Sequence, residues 1–145
     1  MDNVPVTTKI YVFNQKTNSK INSIVKESEC VVLMINLLDR DTFLNVVEWI
    51  ELIKECEYMY KIFIIGNAPL NTSEICTYEW EINDLLGKAK KKYFIDYEYS
   101  QINVNNKDET QNFINNKIIN YCQIEAKKKL KNSDDGFTKG GCLLF

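Results

Sequence analysis

Apolar residues recur along this chain in two spacings, and their alternation sets the expected architecture. Residues 9–13 (KIYVF) are β-branched and aromatic and read as a short strand. Residues 14–29 are polar, with Ile21, Ile24 and Val25 as a weak helical stripe. Residues 30–35 (CVVLMI) are continuously apolar, as a strand covered on both faces requires. Asp41 or Thr42 is placed to cap a helix whose apolar positions are Phe43, Val46, Val47, Ile50, Ile53 and Cys56. Spacings of three and four put these on one face, with Glu48, Glu51 and Glu55 outside. Residues 61–65 (KIFII) form a second buried strand, ended by Gly66-Asn67. Residues 78–90 are helical in pattern, with Trp80, Ile82, Leu85, Leu86 and Ala89 apolar and Gly87 weakening the run. A third apolar strand is expected over 93–97. Asp108 is placed to cap a last helix striped by Phe113, Ile114, Ile118, Tyr121 and Cys122.

Buried strands alternating with amphipathic helices indicate an α/β sheet with right-handed crossovers. Periodicity alone does not choose among the layered folds of that class. From residue 132 the sequence turns small and polar until its last four positions. The expected organisation is one domain over residues 1–131 and a flexible tail over 132–145.

Composition narrows the chemistry. At 145 residues the chain is long enough to bury a real core. The 45% hydrophobic and 26% charged residues are ordinary for a globular protein, and a net charge of −2 gives no footprint for nucleic acid. The five cysteines, Cys30, Cys56, Cys76, Cys122 and Cys142, form no CxxC pair, and histidine is absent, so no zinc site is expected. Reduced cytosolic thiols are the better reading. Residues 1–5 have neither a basic nor an apolar leader character, and no apolar run approaches the roughly 20 residues of a spanning helix. Membrane contact would therefore need an anchor.

Cys142-Leu143-Leu144-Phe145 has the form of such an anchor: a Cys-aliphatic-aliphatic-X prenylation box, in which Phe at X favours geranylgeranyl over farnesyl. Residues 133–141, with Gly136, Gly140 and Gly141, would supply the accessible tail the modifying enzyme needs. Lys127, Lys128, Lys129 and Lys131 lie upstream. One lipid chain binds membranes only reversibly, and a polybasic patch is a usual second signal. The same lysines also suit a solvated helix end, favoured by its dipole.

The order of these segments resembles that of Rab proteins, within the Ras superfamily of small GTPases. Residues 9–13 look like the strand that leads into the family's DxxG loop. CVVLMINLLDRDTF (30–43) is similar to the stretch in which a buried strand runs into an aspartate-arginine turn. The likeness continues through Asn45-Val46, Trp49-Ile50 and Ile53-Lys54. KIFIIGN (61–67) resembles the strand that ends in the NKxD guanine motif, and Asn103-Val104 with residues 113–119 resembles the last helix. A variable tail and a prenylated cysteine follow in the family's order. The resemblance covers about the last two-thirds of a Rab. It implies a mostly parallel, P-loop-NTPase-like sheet flanked by helices. It also implies GTP or GDP with Mg²⁺ as the family's ligands, and a cytosolic membrane face as its location. The partners it implies are a prenyltransferase, a prenyl-binding carrier and trafficking effectors.

The departures from the family are as informative as the matches. A P-loop needs GxxxxGK[ST], and this sequence has no glycine before Gly66. Asn14-Gln15-Lys16-Thr17-Asn18 stands where the family has DTAGQ. After Gly66-Asn67 the motif's lysine is Ala68 and its base-reading aspartate is Leu70. Glu98-Tyr99-Ser100 replaces the SAK loop, and Asn67 is the one nucleotide-site residue that matches. Its ordinary alternative is a turn asparagine. The first strand is also missing, which leaves the sheet without its centre and predicts an open edge on the 61–65 strand. The expected function is a lipid-anchored Rab-like protein that has lost nucleotide binding and acts in trafficking by binding proteins. The alternatives are a working GTPase whose P-loop segment lies upstream of this sequence, and a prenylated α/β adaptor with no trafficking role.

Overall fold

A computed structural model describes residues 10–12, 19–56, 61–69, 73–132 and 142–144 of the chain, with 10–12 and 142–144 described by their backbone pairing. Residues 14–18, Leu70, the stretch 133–141 and Phe145 lie outside the described residues. The chain folds as α/β, a parallel sheet flanked by helices. Strand β1 is Ile10–Val12, helix α1 Ile21–Glu27, strand β2 Cys30–Asn36, and helices α2 and α3 are Arg40–Leu44 and Val46–Glu55. Strand β3 is Ile62–Asn67, helix α4 Glu79–Tyr93 and strand β4 Tyr97–Ile102. Helix α5, Lys107–Phe113, passes through a π-helical segment, Ile114–Ile119, into α6, Asn120–Asn132, and strand β5 is Cys142–Leu144.

Strands β2, β3 and β4 are consecutive parallel neighbours. Val31 is aligned with Ile62 and Asn36 with Asn67, while Ile62 is aligned with Tyr97 and Asn67 with Ile102. The continuous apolar run of β2 buries side chains on both faces. Val31, Leu33 and Ile35 pack with α1, α3 and α4, through Ile21, Val25, Ile50, Ile53, Ile82 and Leu86. Cys30 and Val32 face the other way, with Phe63 and Ile65 of β3, against Phe113, Ile118 and Cys122. Two helical layers thus sandwich one sheet.

The complete order is β1-β5-β2-β3-β4. The open edge expected on the 61–65 strand is not there, because β3 lies between β2 and β4. The vacant side belongs to β2, and β5 occupies it. β5 runs parallel to both neighbours, with Cys142 aligned with Ile10 on one side and Cys30 on the other. The segment expected to end a flexible tail is therefore held as a strand at its residues 142–144.

Other differences from the sequence reading are local and have physical causes. Asp39 caps α2, its carboxylate accepting the Asp41 N–H at 3.0 Å. Thr42 instead ties α2 to the end of β2, accepting from the Asn36 N–H at 2.9 Å and donating to the Asp39 carbonyl at 2.7 Å. Asn106, not Asp108, caps α5, accepting the Asp108 and Glu109 N–H groups at 3.1 and 3.3 Å. The third strand begins at Tyr97, because α4 runs on to Tyr93 with Lys90, Lys91 and Lys92 favoured in its last turn. Trp80, expected in the helix stripe, is 70% exposed, since Ile82, Leu86 and Ala89 already form the inward row. The π-helical segment widens the helix by one residue, so that Phe113 and Ile118, five apart, both reach the sheet.

Candidate functional site

Ligands of open α/β sheets bind beyond the carboxyl ends of the strands, and Asn67 closes β3 at that edge. Its side-chain oxygen accepts the Val104 N–H at 3.1 Å, and its carbonyl accepts the Leu37 N–H at 2.9 Å. Asn36 does the same one strand over, its side chain accepting the Leu38 N–H at 3.1 Å. Leu37 in turn accepts the Cys76 N–H at 2.9 Å. Asn103 donates its N–H to Glu109 at 2.8 Å and its side chain accepts from the Asn105 N–H. Asn67 fastens the loops after β2 and β4 to the end of β3, while Asn36 and Asn103 each brace their own loop. Ala68 is 4% exposed and packs in the core, and Leu70 lies outside the described residues.

Just below this edge, Gly66 gives passage to Tyr99 of β4. A Cβ on Gly66 would meet the Tyr99 hydroxyl and stand 3.0 Å from its ring carbon. That hydroxyl is buried without a hydrogen-bond partner among the described residues. Burial, with the nearby charge of Glu79, pushes its pKa up to about 12. In sequence Gly66 reads only as a strand terminator; in the fold it is required by side-chain packing.

The opposite edge of the sheet gathers the other candidate residues. Cys142 is aligned with Cys30, the first residue of β2. Glu29 precedes Cys30 and is 1% exposed, and Lys129 of α6 donates to its carboxylate. The second carboxylate oxygen of Glu29 has no partner among the described residues. Within the expected basic patch, Lys129 is therefore committed to a buried ion pair, and Lys128 pairs with Glu125 at 2.6 Å. Lys127 and Lys131 are exposed. Cys122 of α6 also belongs here, and its hydrogen bond with Cys30 draws its thiol below the ordinary value against the opposing effect of burial. The structure thus brings Lys129 and Cys142 to one place, through Glu29 and Cys30, and leaves Asn67 at the far end of the sheet. Glu29 carries no sequence signal, because nothing marks a carboxylate before an apolar strand as buried.

A third feature is a cleft of about 430 Å³ between the start of α3 and the length of α4. Phe43, Val47, Leu85 and Ala89 form its floor, Trp80 and Tyr93 its sides, and Lys88, Lys92, Asp84 and Glu81 its rim. The rim charges are largely matched: Lys88 with Asp84 at 2.6 Å, and Arg40 with Glu81 at 2.6 Å. The Arg40 hydrogen bond holds the Glu81 carboxyl below its ordinary value.

Among the described residues no helix is long and apolar enough to cross a membrane. No family model matches the sequence, and no curated protein matches it either.

Proposed function

We propose that this chain is a Rab-like relative of the small GTPases that is anchored to a cytosolic membrane face through a lipid on Cys142 and acts in vesicle trafficking by binding proteins. The observation that carries the reading is the box Cys142-Leu143-Leu144-Phe145 in the sequence. Supporting it are the family-like order of segments from residue 9 onward and a parallel sheet with helices on both faces. In that sheet β5 lies between β1 and β2.

Nucleotide chemistry has little to work with. The sequence offers no glycine-rich loop before Gly66 to approach phosphates, and the side-chain oxygen of Asn67 is engaged by the Val104 N–H. The anchor is a geranylgeranyl or farnesyl thioether, made by a prenyltransferase and shielded in the cytosol by a prenyl-binding carrier. Lys127 and Lys131, with Lys128 at the exposed side of its pair with Glu125, add the electrostatic second signal.

The test is fractionation of cells expressing the full chain or its Cys142→Ser variant. The wild type is expected in the membrane pellet and the variant in the soluble fraction. Equal distribution of the two overturns the anchor.

A further inference from the structure

The sheet holds a strand between β1 and β2, and that strand is Cys142–Leu144 of the same chain. β5 is three residues long and is paired on both sides, Cys142–Leu144 against Ile10–Val12 and against Cys30–Val32. Its neighbour β2 is apolar at that end, with Cys30, Val31 and Val32 all fully buried. Without β5, β2 would present a row of unpaired backbone groups beside the core. We infer that the gap between β1 and β2 is a binding site for an extended apolar strand, that its occupant is this chain's own Cys142–Leu144, and that Cys142 is lipidated only when this strand leaves the gap.

The second half of this inference rests on the proposed lipid anchor; the first does not. Lipidation forms a thioether between the Cys142 sulfur and the first carbon of a prenyl diphosphate. The carbon–oxygen bond breaks, diphosphate leaves, and the thiol proton goes to solvent. An enzyme performing that displacement must hold the four-residue box extended in its own cleft. The backbone of residues 142–144 cannot be laddered between β1 and β2 and lie in that cleft at once. Sheet closure and lipidation therefore compete for the same residues.

The competition is close to balanced by construction. Three residues gain ladder hydrogen bonds on two sides, and each hydrogen bond contributes little net because water is displaced. Ordering three residues costs backbone entropy of similar size. Held this way, the strand is a latch that opens without unfolding β2, β3 and β4, whose register is independent of it. An open latch frees the backbone of residues 142–144 and exposes the β2 edge. A lipidated chain is thus also one whose sheet accepts a strand from elsewhere.

The experiment measures amide hydrogen exchange of residues 142–144 in the intact, folded chain, resolved by peptide mass spectrometry. The references are the same chain unfolded in urea and a Leu143→Pro variant. Proline at 143 removes a ladder donor while leaving the thiol in place. Circular dichroism establishes that the variant keeps its helices. The Cys142 and Leu144 amides of the wild type are expected to exchange at least tenfold more slowly than in either reference. In parallel, a CaaX geranylgeranyltransferase with geranylgeranyl diphosphate should modify the folded chain at least tenfold more slowly than the hexapeptide GGCLLF.

Exchange of the wild-type Cys142 and Leu144 amides at the unfolded rate overturns the strand site, even if the enzyme lipidates the chain. Protection of these amides with no lipidation of chain or peptide overturns the anchor and leaves the strand site standing. Protection that grows with chain concentration, together with a dimer in sedimentation, would mean that the tail of a second copy fills the gap. That result overturns the intramolecular latch.

Discussion

Phe94 carries the most evident local strain in the described chain. It ends α4 in the left-handed region at φ 53°, and it is 89% exposed. Its Cβ is strained in that conformation with no burial in return, where helices usually place glycine. Phe94→Gly is expected to raise the unfolding free energy by about 1 kcal/mol, read as a higher urea midpoint at unchanged slope. Gly66 poses the opposite case. Gly66→Ala is expected to cost about 1–3 kcal/mol, because the new methyl group meets Tyr99. Tyr99→Phe alone should be nearly neutral or stabilising, since it removes a buried hydroxyl with no partner among the described residues. When Tyr99→Phe is already present, the glycine substitution should cost less, by at least about 0.5 kcal/mol in a double-mutant cycle. Additive losses would show that Tyr99 is not what the glycine accommodates.

At the scale of elements, the strands legible in the sequence are those whose burial is two-sided. Residues 30–35 and 61–65 are apolar almost throughout, and β2 and β3 appear there with their boundaries moved by one or two residues. β4 is harder to read because it is the edge strand and only partly buried along its length. Its residues YEYSQI alternate weakly, while the more apolar Tyr93-Phe94-Ile95 next to them holds a helix end. β5 is illegible as a strand, because three residues carry no periodicity and the same letters have the form of a lipidation box. The basic run shows the same limit. Four lysines in five positions look alike in sequence, and only the fold separates Lys129 from the others.

That separation has a measurable consequence. Lys129 joins α6 to the entrance of β2 through Glu29, whose side chain is 1% exposed against 35% for the lysine. Removing one partner of a wholly buried pair costs about 3–5 kcal/mol, and solvent access to the lysine lowers this. Lys129→Ala is therefore expected to destabilise by about 2–3 kcal/mol, whereas Lys127→Ala and Lys131→Ala should stay within about 0.5 kcal/mol. Urea denaturation of the three variants checks this. Equal small effects would return Lys129 to the solvated patch, with Glu29 tolerating its loss.

At the scale of the whole molecule, structural contacts occupy the carboxyl edge of the sheet, where open α/β proteins bind their ligands. In an α/β protein that binds nucleotides, the carboxyl ends of the strands keep backbone donors available for phosphates and carboxylates available for bases. Here Asn36, Asn67 and Asn103 commit their side chains to the loops beside them. On the proposed Rab-like reading, Ala68, buried in the core, stands at the position of the guanine motif's lysine and Leu70 at that of its base-reading carboxylate. Stability of the 145-residue chain should therefore be indifferent to guanine nucleotide. A ligand that binds only the folded state stabilises it by RT ln(1 + [L]/Kd). At about 1 mM GTP a dissociation constant of about 10 μM would contribute about 2.7 kcal/mol, a rise on the order of 10 °C in Tm for a domain of this size. The expected outcome of a thermal scan at that concentration of GTP or GDP with Mg²⁺ is a shift of less than about 1 °C. Leu70→Asp should not change that result, since one carboxylate leaves the phosphates without donors. A saturable, guanine-specific rise of several degrees in the unaltered chain would instead restore the nucleotide to the centre of its function, with the loops closing on it in a conformation other than this one.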